Sequence, residues 1–244
     1  MNIAIAGCSF SADPICYPYI LANHYSANLT NLAVHGNSNY NIFMSAANQL
    51  SSGNTDVLLV QWSGLNRIWL YPSPGIETCS VTNGLNKIFS SSDLSISKGI
   101  SFTKKQLTEF GELYFKLNCD YHLIMQLIDY CNILQNLAKN KCQIFFINGL
   151  LPWTKELLFE ESNIDNLSYY TKEILNFDIS PDEEIYKFLN LLKTKMKTLD
   201  TTLWVNMFDS MLNNRIDTIS KNDYHPGPKT HKALSDKIIL ANYI

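Results

Sequence analysis

A serine hydroxyl becomes a nucleophile only when a base takes its proton, a third group holds that base in the right tautomer, and fixed donors receive the charge that develops on the substrate oxygen. Separate segments of this chain offer those parts. Ser9 lies in Gly7-Cys8-Ser9-Phe10-Ser11, where Gly7 permits a tight turn and a helix starting there would present backbone N–H groups. Taken alone, Ser9 reads as well as a turn or cap residue. Near the other end, Asp223-Tyr224-His225-Pro226 supplies a carboxylate and an imidazole two residues apart. Pro226 biases His225 toward an extended backbone, in which side chains at i and i+2 point the same way, so Asp223 can orient His225. The plain alternative for this segment is a surface turn.

Two further positions suit an oxyanion site. Gly36, in Val34-His35-Gly36-Asn37-Ser38, offers an N–H that no side chain keeps from a substrate, and Asn66, in Gly64-Leu65-Asn66-Arg67, offers an amide donor. Each is also an ordinary turn residue. Arg67 beside them suits an anionic part of a substrate or pairs with a nearby acid. Trp62, Trp69, Tyr71 and Trp153 fall in or near the same loops; their faces suit a sugar ring or an acyl chain, although aromatics are more often core.

These residues sit where an α/β pattern places them. A strand at residues 2–6 breaks at Gly7, and a helical stretch at 17–25 leads to a second strand at 29–34. A helix at 38–50 and a third strand at 56–62 follow. The run Val57-Leu58-Leu59-Val60 is apolar on both faces, as in a parallel strand covered by helices on each side. Periodicity loosens over about 68–103, which reads as an irregular insertion. It returns in a helix carrying Leu123, Leu127, Leu134 and Ala138, a fourth strand at 142–148, and a helix opened by a capping box at Ser180 and Glu183. A short fifth strand is expected at 203–205 and a last helix from Pro228. Strands alternating with helices give one domain over 1–244: a three-layer α/β/α sandwich around a mainly parallel five-stranded sheet, with its site at the carboxyl ends of the strands.

Composition narrows the function. Apolar residues are 46% and charged residues 17%, a globular balance, and a net charge of −3 without basic runs gives no surface for nucleic acid. The six cysteines lack metal or redox spacing and read as free thiols. His225 and His231 lack a third metal ligand, so no metal and no cofactor is expected. Cys8 neighbours Ser9 and is expected to point away from a site that Ser9 faces. Ile5-Ala6-Gly7-Cys8 imitates a lipoprotein cleavage box without a basic start or an apolar run of signal-peptide length ahead of it. No run is long enough to span a bilayer. The default expectation is a cytoplasmic protein without a membrane partner, and the sequons at Asn28 and Asn166 carry no weight.

Taken together the segments resemble the SGNH or GDSL hydrolase superfamily, whose blocks follow the order Ser, Gly, Asn, then Asp with His. On that resemblance Ser9 is the nucleophile, Gly36 and Asn66 are oxyanion donors, and Asp223 and His225 are the acid and base. The sequence departs from the pattern at three places. Cys8 stands where GDSL sequences carry Asp, Arg67 stands where the third block ends in Asp, and Asp223 precedes His225 by two residues rather than three, Asn222 holding the commoner position. The resemblance implies a flavodoxin-like fold and a serine esterase or acylhydrolase acting through an acyl-enzyme on a small-molecule or carbohydrate ester, with O-deacetylation of a carbohydrate as one candidate. An O-acyltransferase using the same triad and a non-catalytic SGNH-like protein are the alternatives.

Overall fold

The computed structural model describes residues 1–65, 67–70, 79–82, 120–151, 183–221, 223–242 and 244. Its centre is a parallel sheet of β1 (Asn2–Ala6), β2 (Asn28–Asn31), β3 (Val57–Trp62) and β6 (Gln143–Asn148), in the order β2-β1-β3-β6. The chain runs from β1 outward to β2 and then crosses to the other side of β1 to lay down β3. At such a reversal, beyond the carboxyl ends of the strands, open α/β sheets hold their ligands.

Side-chain alternation separates the two faces. Ile3 and Ile5 of β1, Val57 and Leu59 of β3, and Phe145 and Ile147 of β6 pack with Tyr17 and Leu21 of α2 (Tyr17–His24) and with Leu234 and Ile238 of α6 (Pro228–Leu240). The intervening residues Ala4, Ala6, Leu58, Val60, Ile144 and Phe146 face α3 (Asn39–Ser52) and α4 (Asp120–Ala138), which bring Ile42, Ala46, Ile128 and Leu134. Leu192 and Met196 of α5 (Glu183–Met196) join that second core. Each fully buried Leu or Ile contributes roughly 1.5–3 kcal/mol relative to exposure. A strand with both faces covered is mostly apolar, which is why β3 opens with the apolar run Val57-Leu58-Leu59-Val60.

Three elements differ from the sequence reading. The edge strand β2 stops at Asn31 rather than residue 34, although Leu32 N–H still donates to Ile5 O at 2.8 Å and Val34 N–H to Gly7 O at 3.2 Å. The place of the fifth strand is held by a single parallel bridge between Phe146 and Trp204. The chain before it is wound into a 3₁₀ turn, Thr201–Leu203. Beyond the bridge a side chain replaces the ladder: Asn148 N–H donates to Asn206 Oδ1 at 2.8 Å and Asn206 Nδ2 donates back to Asn148 O at 3.0 Å. The stretch expected to be irregular holds an antiparallel pair, β4 (Arg67–Leu70) with β5 (Cys79–Thr82), Arg67 opposite Thr82. The rest of 68–103, and the start of the capping box at Ser180, lie outside the described residues.

Candidate active site

At the end of β1 the chain turns at Gly7 and Cys8 and enters the single-turn helix α1 (Ser9–Ala12). Ser11 N–H donates to Cys8 O at 2.9 Å, closing the turn. Ser9 is only 5% exposed, and its Oγ lies 2.8 Å from His225 Nε2. The partner comes from an antiparallel hairpin, β7 (Thr218–Ser220) and β8 (Asp223–Pro226). In that extended segment Asp223 Oδ1 accepts from His225 N–H at 2.9 Å and lies 2.5 Å from His225 Nδ1.

This geometry assigns the protons. A carboxylate only accepts, so Nδ1 carries the imidazole hydrogen, which leaves Nε2 free to accept from the Ser9 hydroxyl. The backbone N–H of His225, then its ring N–H, hold the Asp223 carboxyl below the usual carboxylate range. Asp223 therefore stays ionised at neutral pH. Phe10 sets its ring edge-on to the imidazole, 5.4 Å between centroids, and so flanks His225 from the helix that begins at Ser9.

The second expected donor segment reaches the same end of the sheet. Gly36 has φ +72, a left-handed conformation in a turn closed by Asn37 N–H donating to Val34 O at 3.2 Å. The turn is anchored to the end of β1, because Gly7 O accepts from both Val34 N–H and Asn37 Nδ2, the latter at 2.9 Å. The loop leaving β3 is held by Asn39, whose Oδ1 accepts from Ser63 N–H at 2.8 Å while its Nδ2 donates to Ser63 O at 3.2 Å. That loop leads to Asn66, which lies outside the described residues, as does Asn222. Arg67 is placed only by its backbone at the start of β4. The structure thus brings Ser9, His225 and Asp223 into contact and ties the Gly36 turn to Gly7, two residues before Ser9.

Trp62 corrects the sequence reading. Expected to line the substrate site, it is fully buried, stacked on Phe146 at 6.0 Å within the core. It is the last residue of β3 and points into the face filled by α3 and α4, so it has no surface to offer a ligand. Cys8 is buried with its Sγ 3.3 Å from Gln61 Nε2, turned into the protein, while Ser9 meets His225. His231 is buried on α6, stacked on Tyr17 at 6.2 Å, and desolvation lowers its pKa to about 4.

No protein-family model matches the chain, and no curated protein matches it in sequence. Solved structures do. TesA is 9% identical at a TM-score of 0.48, with both chains covered in full. The psychrotrophic esterase EstA from Pseudoalteromonas sp. is 10% identical at 0.47, over 99% of this chain and 96% of that one. A member of the lipolytic protein G-D-S-L family from Veillonella parvula is 9% identical at 0.44, over 98% and 97%. This chain is similar to hydrolases of the G-D-S-L type. At such identities and scores the likeness gives no residue a role, so roles must come from the geometry of the chain itself.

Within this candidate site, several residues that shape it carry no sequence signal. Asn31 Nδ2 donates to Ser11 O at 2.9 Å and fixes α1 against the edge strand. Asp217, just before β7, accepts from Lys229 N–H at 3.0 Å and Thr230 N–H at 2.9 Å, filling the donors at the start of α6. Its backbone O accepts from Gly227 N–H at 2.9 Å. A Cβ at position 227 would come within 2.7 Å of the Asp217 carboxyl, so glycine is needed for the approach. The hairpin carrying Asp223 and His225 is clamped to the last helix in this way.

Proposed function

We propose that the chain is a serine esterase of the SGNH type. The observation that carries this reading is the unbroken series Ser9 Oγ, His225 Nε2, His225 Nδ1, Asp223 Oδ1, with contacts of 2.8 and 2.5 Å. In the proposed reaction Ser9 Oγ attacks the ester carbonyl carbon as its proton passes to His225 Nε2. The charge on the carbonyl oxygen is met by the backbone N–H groups of Ser9 and Gly36 and by the Asn66 amide. Ser9 N–H is suited to this because the first residue of a helix has no preceding turn to donate to. The imidazolium then gives its proton to the leaving alcohol, and water activated by the same base releases the acid from the acyl-enzyme. Asp223 holds the tautomer and balances the imidazolium charge. Arg67 is proposed to bind an anionic part of the substrate.

A triad assembled from segments more than 200 residues apart favours catalysis over a binding-only role, since packing alone has no need of a charged residue on a half-exposed hairpin. A carbohydrate O-acetyl ester is the proposed substrate class. With Trp62 in the core, that proposal rests on Trp69, Tyr71 and Trp153, whose side chains lie outside the described residues. Among the described residues no helix is long and apolar enough to cross a membrane.

The test is hydrolysis of 4-nitrophenyl esters of increasing chain length and of acetylated xylo-oligosaccharides, beside Ser9→Ala. Turnover of short esters by the wild type and none by Ser9→Ala is the expected result. No turnover of any ester by folded protein would remove the esterase reading. Ester consumption that rises with added sugar, the acyl group recovered on the sugar, would make the enzyme a transferase.

A further inference from the structure

Strand β3 is apolar along its length except for Gln61, which is fully buried and lies against the nucleophile turn. We propose that Gln61 is a positioning residue: its side-chain amide fixes the Gly7 to Ser9 turn and so sets the directions of Ser9 Oγ and Ser9 N–H. The inference rests on Ser9 being the nucleophile.

The hydrogen bonds leave the amide a single orientation. Gln61 Oε1 accepts from Cys8 N–H at 3.3 Å and from Ser11 Oγ at 2.9 Å, which fills both its lone pairs. Its Nε2 donates to Trp62 O at 2.8 Å and faces Cys8 Sγ at 3.3 Å. Ser11 has one hydroxyl hydrogen, and two oxygens stand near it: Gln61 Oε1 and, at 3.2 Å, Tyr17 Oη. Because Oε1 cannot donate, the Ser11 hydrogen goes to Gln61 and the Tyr17 hydroxyl donates to Ser11. Burial raises the Tyr17 pKa, so the phenol keeps the proton this requires. The result is a directed chain from Tyr17 through Ser11 to Gln61, which meets Cys8 N–H from the other side.

Two glycines make room for the amide. A Cβ at Gly149 would lie 2.0 Å from Gln61 Nε2, and one at Gly7 would lie 3.1 Å from Oε1. With Cys8 N–H tied to Gln61 and Cys8 O tied to Ser11 N–H at 2.9 Å, both peptide planes ahead of Ser9 are fixed. Since the peptide is trans, Ser9 N–H then points opposite to the bonded Cys8 carbonyl. Gln61 makes no bond to Ser9 or His225, so it acts through the turn. An apolar residue at this position would suit the strand but would strip the Cys8 N–H and the Ser11 hydroxyl of their acceptor.

The experiment compares Gln61→Met, Ser11→Ala and Tyr17→Phe with wild type, using 4-nitrophenyl acetate for kcat and KM and a fluorophosphonate for the rate of Ser9 labelling. Folding is checked by thermal melts, with assays run well below each midpoint. Misplacing a nucleophile without removing it should lower kcat by about tenfold to 100-fold in Gln61→Met, with KM within about twofold. The labelling rate should fall in parallel. Ser11→Ala should lose less and Tyr17→Phe least, while the pH dependence of kcat/KM keeps its midpoint because the base is untouched. If Gln61→Met does not fold, the other two variants carry the same ordering. Folded variants with wild-type kcat and labelling rate would overturn the inference and leave the esterase reading intact. Wild-type protein that is never labelled at Ser9 would overturn both.

Discussion

The two halves of the proposed triad are built in opposite ways. Ser9 is 5% exposed and sits on a turn wedged against β3. Hydrogen bonds reach that turn and its helix from Gln61, Asn37 and Asn31, on β3, the loop after β2, and β2 itself. His225 and Asp223 each have side chains 39% exposed, on a two-stranded hairpin outside the central sheet. That hairpin is held from behind by Asp217 and Thr230. The difference fits the work each half would do. A nucleophile must be fixed within a fraction of an ångström, while a base that cycles between neutral and charged forms gains from water that solvates its charge.

If this division holds, losses should be graded by which half is touched and how. Removing the reacting groups should cost most: Ser9→Ala and His225→Ala should each lower kcat on the order of 10⁴-fold or more, and the double variant should lose little beyond either single one, because the two act as a unit. A double variant with additive losses would break the unit. Next comes Asp223→Asn, which keeps the shape but leaves the imidazole hydrogen on the wrong nitrogen; a loss of about 10³ to 10⁴ in kcat is expected. A much smaller loss would say that the backbone alone orients His225.

The pH profile sharpens the same contrast. Ser9 has to meet a neutral imidazole, so kcat/KM should rise with pH along one limb to a plateau. The bonds from His225 keep the Asp223 carboxyl ionised well below this range, so no second limb should appear between pH 5 and 8. A bell or a flat profile there would contradict the assignment.

The smallest effect is expected behind the hairpin. Asp217→Ala should lower the melting temperature and reduce kcat by less than about 100-fold, the cost of a misplacement near 1 Å. Partial desolvation raises the Asp217 carboxyl, but bonds from Lys229 N–H, Thr230 N–H and the Thr230 hydroxyl outweigh it and hold its pKa down. A carboxyl depressed in the fold contributes stability above its unfolded pKa of about 3.9 and loses it as pH falls through the lower folded value. The gap in melting temperature between wild type and Asp217→Ala should therefore be full at pH 6 and close only in stronger acid. A gap that does not change with pH would mean that packing, not charge, holds the hairpin.

The sequence was legible where one short segment carried the whole signal. β3 shows itself by an apolar run covered on both faces, and the contact of Asp223 with His225 by an alternation that any extended strand obeys. Ser9 was legible as a polar residue at a strand end. What escaped depends on contacts between distant segments. The fifth strand failed because Asn206 takes up the Asn148 peptide in place of a strand, and nothing local marks an Asn as a peptide mimic. Gln61 interrupts an apolar strand, and only its bonds to Cys8 and Ser11, 53 and 50 residues away, give it meaning. Trp62 lies next to the loop leaving β3, but the alternation along the strand turns it to the core.

The central claim is that this fold activates one serine, and a fluorophosphonate probe tests it directly, since only a serine deprotonated by a positioned base attacks phosphorus quickly. Labelled protein would be digested and the adduct located by mass spectrometry. The account predicts a single adduct on Ser9, absent in His225→Ala. An adduct on another serine, or folded wild-type protein with none, would contradict it.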